Sequence, residues 1–136
     1  MRHPGKILYP EAFKTKRILV HQEFENDLRN ILEKSGHTAE FFGKYKQRLN
    51  LLDDMQKRCI LKNDWFEELR YADGIYSMKF NRSQKNIRIL FAFLDNNCAL
   101  LLSAFEEKNN KKTSQDSYKK HIPLAQKRLK EVIADD

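Results

Sequence analysis

Glycine and proline are scarce in this chain, 4 and 3 among 136 residues. A collagen-like or proline-rich disordered chain is thereby excluded, and each Gly or Pro becomes an informative mark along the backbone. Cysteine is nearly absent too. Cys59 and Cys98 each lie beside apolar residues, outside any CxxC or Cys/His cluster. That spacing speaks against a disulfide framework and a zinc site, and it fits a reduced cytosol. No segment approaches the ~20 apolar residues that span a bilayer. No apolar stretch follows Met1-Arg2-His3-Pro4-Gly5-Lys6, so no signal peptide is read there. Internal repeats and low-complexity tracts are also missing. A soluble cytoplasmic protein without a membrane partner is expected, formed as a single domain over residues 1–136.

What is present is apolar material and positive charge. Hydrophobic residues make up 40% and aromatics 11%, enough to pack one interior and to exclude wholesale disorder. Lys and Arg number 26 against 19 Asp and Glu, a net charge of +7. The excess is uneven: residues 1–78 carry 14 basic and 12 acidic residues, residues 79–136 carry 12 and 7. Such a field favours polyanions. On charge alone, a solvated surface is the simpler reading.

The pattern predicts an α+β fold. Arg17–Val20 reads as a short strand after an irregular opening. Phe24, Leu28, Ile31 and Leu32 fall on one helical face over residues 22–34, with Ser35-Gly36 as the stop. Thr38 is the expected N-cap of a second helix with Phe41, Phe42, Tyr45, Leu49 and Leu52 inward. Lys44, Lys46, Gln47 and Arg48 are placed outward. Together these helices predict an N-terminal helical hairpin. Residues 55–73 show no clear period, though Trp65, Phe66 and Leu69 read as core and Ala72-Asp73-Gly74 as a turn.

After Gly74 the period changes to two. Gly74–Phe80, Asn86–Leu94 and Cys98–Phe105 read as three strands of an antiparallel meander, joined by Asn81–Lys85 and Asp95-Asn96-Asn97. The third is almost wholly apolar, as for a strand covered on both faces. Glu106–Asp116 is expected as a lysine-rich loop. A closing helix is placed over 117–134, with Pro123 near its start.

At the meander the sequence resembles a known family. Gly74-Ile75-Tyr76-Ser77-Met78-Lys79-Phe80, Ile87-Arg88-Ile89-Leu90-Phe91, Leu100 to Lys108, and Ala125-Gln126-Lys127-Arg128 stand in the order found in RelE/HigB-like toxins of type II toxin–antitoxin systems. The phage-related HigB-type branch is the most similar. The resemblance covers roughly residues 65–132. It implies a RelE-like fold: a helical hairpin against an antiparallel sheet of three or more strands, and a C-terminal helix. It also implies mRNA cleavage, often on translating ribosomes, without a cofactor or metal. The implied partners are mRNA, the ribosome and a cognate antitoxin, expected to be of helix-turn-helix type.

Metal-free RNA cleavage requires the ribose 2′-OH to lose its proton and attack the adjacent phosphate. The charge that develops there must be stabilised, and the leaving oxygen protonated. Arginine suits the phosphate because its fork makes paired hydrogen bonds. The resemblance assigns that task to Arg88, the alternative being a structural Arg paired with an acid. Lys79 matches a basic position of the family and is assigned a base or phosphate role, against an exposed strand lysine. Ser77 stands where some relatives carry another basic residue. Lys108 matches the family's basic residue after the strand-ending Phe and joins the catalytic set. Lys111, Lys112, Arg82 and Tyr118 are the expected RNA contacts. For any single lysine a solvated position is the simpler reading, but phosphate affinity adds up over several charges. His121 reads as a surface residue, and the place of Arg70 is open.

Two other readings stand beside the nuclease. One is a ParE-like toxin that binds gyrase and cleaves nothing. The other is a catalytically silent RNA-binding or interaction domain.

Overall fold

Alternating apolar residues build the centre of the molecule. In the computed structural model, residues 4–10, 13–34, 38–80, 86–94, 97–107 and 111–134 are described, without the side chains of 111–117. In chain order the elements are β1 (Ile18–Val20), α1 (Phe24–Glu33), α2 (Thr38–Met55), a 3-10 turn (Gln56–Leu61), β2 (Phe66–Glu68), β3 (Tyr76–Phe80), β4 (Asn86–Leu94), β5 (Cys98–Glu107) and α3 (Lys111–Ala134). The strands form one sheet in the order β1-β5-β4-β3-β2.

The expected meander is the middle of this sheet, with β3, β4 and β5 paired antiparallel. It is extended at both sides. β1 pairs parallel with β5, so the sheet is mixed rather than antiparallel. β2 pairs antiparallel with β3 at the opposite edge. β2 escapes the sequence pattern because it is only three residues long, with Phe66 buried and Glu67 and Glu68 exposed.

Both faces are covered. On one lie Met78, Phe80, Ile89 and Phe91, packed against Phe24 and Leu28 of α1 and Phe41, Tyr45 and Leu49 of α2. On the other lie Leu90, Ala92, Leu100 and Phe105, packed against Tyr118, Ile122, Ala125 and Val132 of α3. This double cover explains the nearly continuous apolar run of β5. Leu90 pairs with Ser103 while Phe91 pairs with Leu101, so Leu102 is the extra residue of a bulge. The expected helical hairpin is not among the main contacts of the two helices. α1 makes its main contacts with β5, and α2 with the 3-10 turn and the sheet.

Three local expectations are corrected. Arg48 is buried, not outward, because it sits on the same stripe as Tyr45 and Leu52. The loop expected over Glu106–Asp116 is much shorter: β5 runs through Glu107 and α3 starts at Lys111. Pro123 consequently lies inside α3, where it leaves the Lys119 carbonyl without the usual N–H partner. The Ala72-Asp73-Gly74 turn is present, with Asp73 at φ 48° and Gly74 at φ 88°. Asn97 is left-handed as well, at φ 60°. The helix stop at Ser35-Gly36, the loop Asn81–Lys85 and the turn residues Asp95 and Asn96 lie outside the described residues. No described helix is long and apolar enough to cross a membrane.

Candidate functional site

Strand register assembles the site on the α3 side of the sheet. Lys79 stands directly opposite Arg88 in the β3–β4 ladder, and Arg88 stands opposite Phe105 in the β4–β5 ladder. Three strands thus present one row, Lys79–Arg88–Phe105. Ser77, two residues before Lys79, shares this face and pairs across from Leu90.

Arg88 is only 8% exposed. Its guanidinium forms an ion pair with the buried carboxylate of Glu107. Its Nη1 donates to the carbonyls of Ile87 at 3.1 Å and Phe80 at 3.3 Å. A buried guanidinium demands such partners, since desolvation without them costs several kcal/mol. Glu107 therefore fixes where the Arg88 fork points.

Above this row lies Tyr118. Its hydroxyl and that of Ser77 are 2.9 Å apart, one donating to the other, and its ring meets Phe105 edge-on. Burial, foremost, pushes the Tyr118 phenol up to about 12; the Ser77 hydrogen bond and Arg88 act against it, while Glu107 and Glu67 add to it. Tyr118 is thus a neutral hydrogen-bonding group near pH 7. His121 stacks on Phe105 with ring centroids 4.3 Å apart. Burial, then Lys120, lowers its pKa, so it is neutral there too.

Beside the row the surface opens. Lys79 is half-buried, and its Nζ donates to the Asn63 carbonyl at 2.9 Å, with Glu67 at 3.9 Å. It borders a recess of about 620 Å³ shared with Glu67, Arg70 and Tyr71. From the other face of the sheet, Arg48 steadies the strand at this point. Its Nε donates to the Lys79 carbonyl at 2.9 Å. Its guanidinium lies 4.5 Å from the Trp65 ring centroid and 4.6 Å from that of Phe80.

Of the residues expected from sequence, Lys79, Arg88 and Tyr118 come together. Tyr118 does so as a packed ring, 8% exposed. Arg82 and Lys108 lie outside the described residues. Lys111 and Lys112 form the first positions of α3, and their side chains are not described. Sequence reading missed Glu107, assigned to a solvated loop, and Arg48, assigned outward. It also missed Arg128, whose Nη1 bonds Asp27 of α1 at 2.6 Å and the Leu102 carbonyl at 2.7 Å. A signal existed for both arginines. Arg48 lies three residues after buried Tyr45, and Arg128 three after buried Ala125, each on its helix's apolar stripe. Among the described residues, no group of three or more His, Cys, Asp or Glu is placed to hold a metal.

Residues 43–130 match the family model described as phage derived protein Gp49-like (DUF891). The matched span runs from the first turns of α2 nearly to the end of α3, so it includes Lys79, Arg88, Glu107 and Tyr118. No curated protein and no solved structure matches the chain.

Proposed function

We propose, from the premise that the chain belongs to the phage-derived Gp49-like family, a RelE-toxin-like family of toxin–antitoxin systems, that it is a type II toxin cleaving mRNA on translating ribosomes. Within this reading it is a single RelE-like domain of the HigB-type branch. The observation that carries the proposal is the row of Lys79 and Arg88 beside an open recess.

In the proposed reaction an RNA strand crosses the sheet between the start of α3 and the β2–β3 turn. The 2′-OH gives up its proton to water and attacks the neighbouring phosphate, the P–O5′ bond breaks, and the departing 5′-oxygen takes a proton from water, leaving a 2′,3′-cyclic phosphate and a 5′-hydroxyl. Arg88, aimed by Glu107, stabilises the charge that develops on the phosphate oxygens. Lys79 contacts the same phosphate from the neighbouring strand. Arg82, Lys108, Lys111 and Lys112 are proposed to hold the flanking backbone. No metal or cofactor is invoked. The proposed antitoxin, of helix-turn-helix type, silences the toxin by laying an acidic segment over these cations.

The ParE-like reading has one observation in its favour: Arg88 is sequestered in its pair with Glu107. An arginine already paired with a buried carboxylate is less available to a reacting phosphate. The test is a purified system in which ribosomes translate a defined mRNA. The nuclease reading expects new RNA ends only when translation runs, reduced about 100-fold in Lys79→Ala. Intact mRNA together with inhibited gyrase supercoiling would replace it with the ParE-like reading.

A further inference from the structure

The β2–β3 connection combines rigid anchoring with an exposed ring. Leu69, Ala72 and Ile75 are all buried in the core beneath α3. The Leu69 N–H donates to Ile75, and the Ala72 N–H donates to Leu69, at 3.0 and 2.9 Å. From α3, Gln126 Nε2 donates to the Ala72 carbonyl at 3.2 Å. Asp73 and Gly74 close the turn with positive φ. The segment is thus tied to the sheet, to itself and to α3.

Within this anchored segment, Tyr71 is 69% exposed. It borders the recess together with Arg70 and Lys79. Tyr71 therefore lines the same open recess as Lys79, which stands opposite Arg88 in the strand ladder. An exposed aromatic ring flanked by cations is the arrangement that binds unpaired bases: the ring stacks on a base, and the cations take the phosphates. A duplex would keep its bases paired and hidden from that ring.

We propose that Tyr71 is a stacking platform for one unpaired nucleotide of single-stranded RNA, with Lys79 and Arg70 on its phosphates. The proposal rests on the RNA-directed reading of the site. The exposed carboxylates of Glu67 and Glu68 stand beside the platform as acceptors. They accept hydrogen bonds from the exocyclic amino groups of adenine or cytosine, which uracil lacks. The pocket accordingly prefers amino-bearing bases over uracil.

The experiment is equilibrium binding of the full-length chain to fluorescein-labelled oligo(A) and oligo(U), ten nucleotides long and 2′-O-methylated to prevent cleavage. A hairpin duplex serves as the comparison. Oligo(A) is expected to bind tighter than oligo(U) and the duplex. Tyr71→Ala is expected to weaken oligo(A) binding about 10-fold or more, while Tyr71→Trp restores it. Because Tyr71 is exposed, its thermal midpoint should stay at the wild-type value in both variants. Equal binding by wild type and Tyr71→Ala overturns the platform, even if the chain cleaves mRNA. Tyr71-dependent binding by a chain that never cleaves overturns the nuclease reading and leaves the platform standing.

Discussion

Replacing Glu107 by Leu removes the carboxylate that faces Arg88 and leaves the guanidinium at a site only 8% exposed. Breaking a buried pair from one side costs about 3–5 kcal/mol, because the remaining charge stays desolvated. Domains of this size are stable by roughly 5–15 kcal/mol, so the loss is a large part of the whole. At an m-value of about 2 kcal/mol/M it moves the urea midpoint down by about 1.5–2.5 M. Arg88→Met alone strands Glu107 and should cost a similar amount. The double variant Arg88→Met/Glu107→Leu removes both charges and keeps apolar volume, so it should recover most of the loss. The assay is urea unfolding followed by far-UV circular dichroism on the four proteins, read as a double-mutant cycle. A cost below about 1 kcal/mol for Glu107→Leu, the value of an exposed pair, would refute the reasoning. Glu107 would then not be the group that holds Arg88.

Four further outcomes follow from the same geometry. Tyr118→Phe leaves the buried Ser77 hydroxyl without its phenol and should cost about 1–3 kcal/mol in urea unfolding. The wild-type Tyr118 phenol should ionise near 12 in an absorbance titration at 295 nm, and its stabilising share is present below about pH 10 and lost as pH rises through 12. His21 is buried, with Nε2 3.6 Å from Glu131, and burial followed by Arg128 lowers its pKa. The folded form binds its proton less readily than the unfolded one, so its contribution is present above about pH 6.5 and is lost as pH falls below that value; the thermal midpoint of His21→Gln should vary less over that window. Arg48→Met should shift the fluorescence of Trp65, the sole tryptophan, and lower stability by roughly 1–3 kcal/mol, since the bond to Lys79 and the contact with two rings go together.

The middle of the sheet was readable because strand periodicity and turn chemistry agree there. Ile87 to Phe93 alternate, Asn97 takes the left-handed turn, and β5 is apolar along most of its length. α1 and α2 announced themselves through Phe24, Leu28, Phe41 and Tyr45 at helical spacing. What failed was local and had physical causes. β2 has one buried residue in three, too little for a period to appear. The first turns of α3, residues 111–116, carry no apolar residue, so no stripe announced them, and Pro123 suggested a start where the helix merely tolerates it. At the site, Arg88 was singled out as a charge within an apolar strand and by the family resemblance, and Lys79 by the resemblance; the β3–β4 register sets the two opposite each other. Glu107 was not singled out: it followed Phe105 and Glu106 and looked like the first residues of a loop. Its pairing with Arg88 depends on β4–β5 register, which only the folded sheet reveals.

As proposed, the Lys79–Arg88 row cuts mRNA during translation. The most direct measurement maps the 5′ ends of cellular mRNA after induction of wild type and Lys79→Ala in bacteria, with translation running and with translation blocked. The account predicts growth arrest with new mRNA ends that require translation, both lost in a Lys79→Ala protein that accumulates to wild-type levels. Growth arrest with no new mRNA ends, or new ends that persist undiminished in Lys79→Ala, would contradict it.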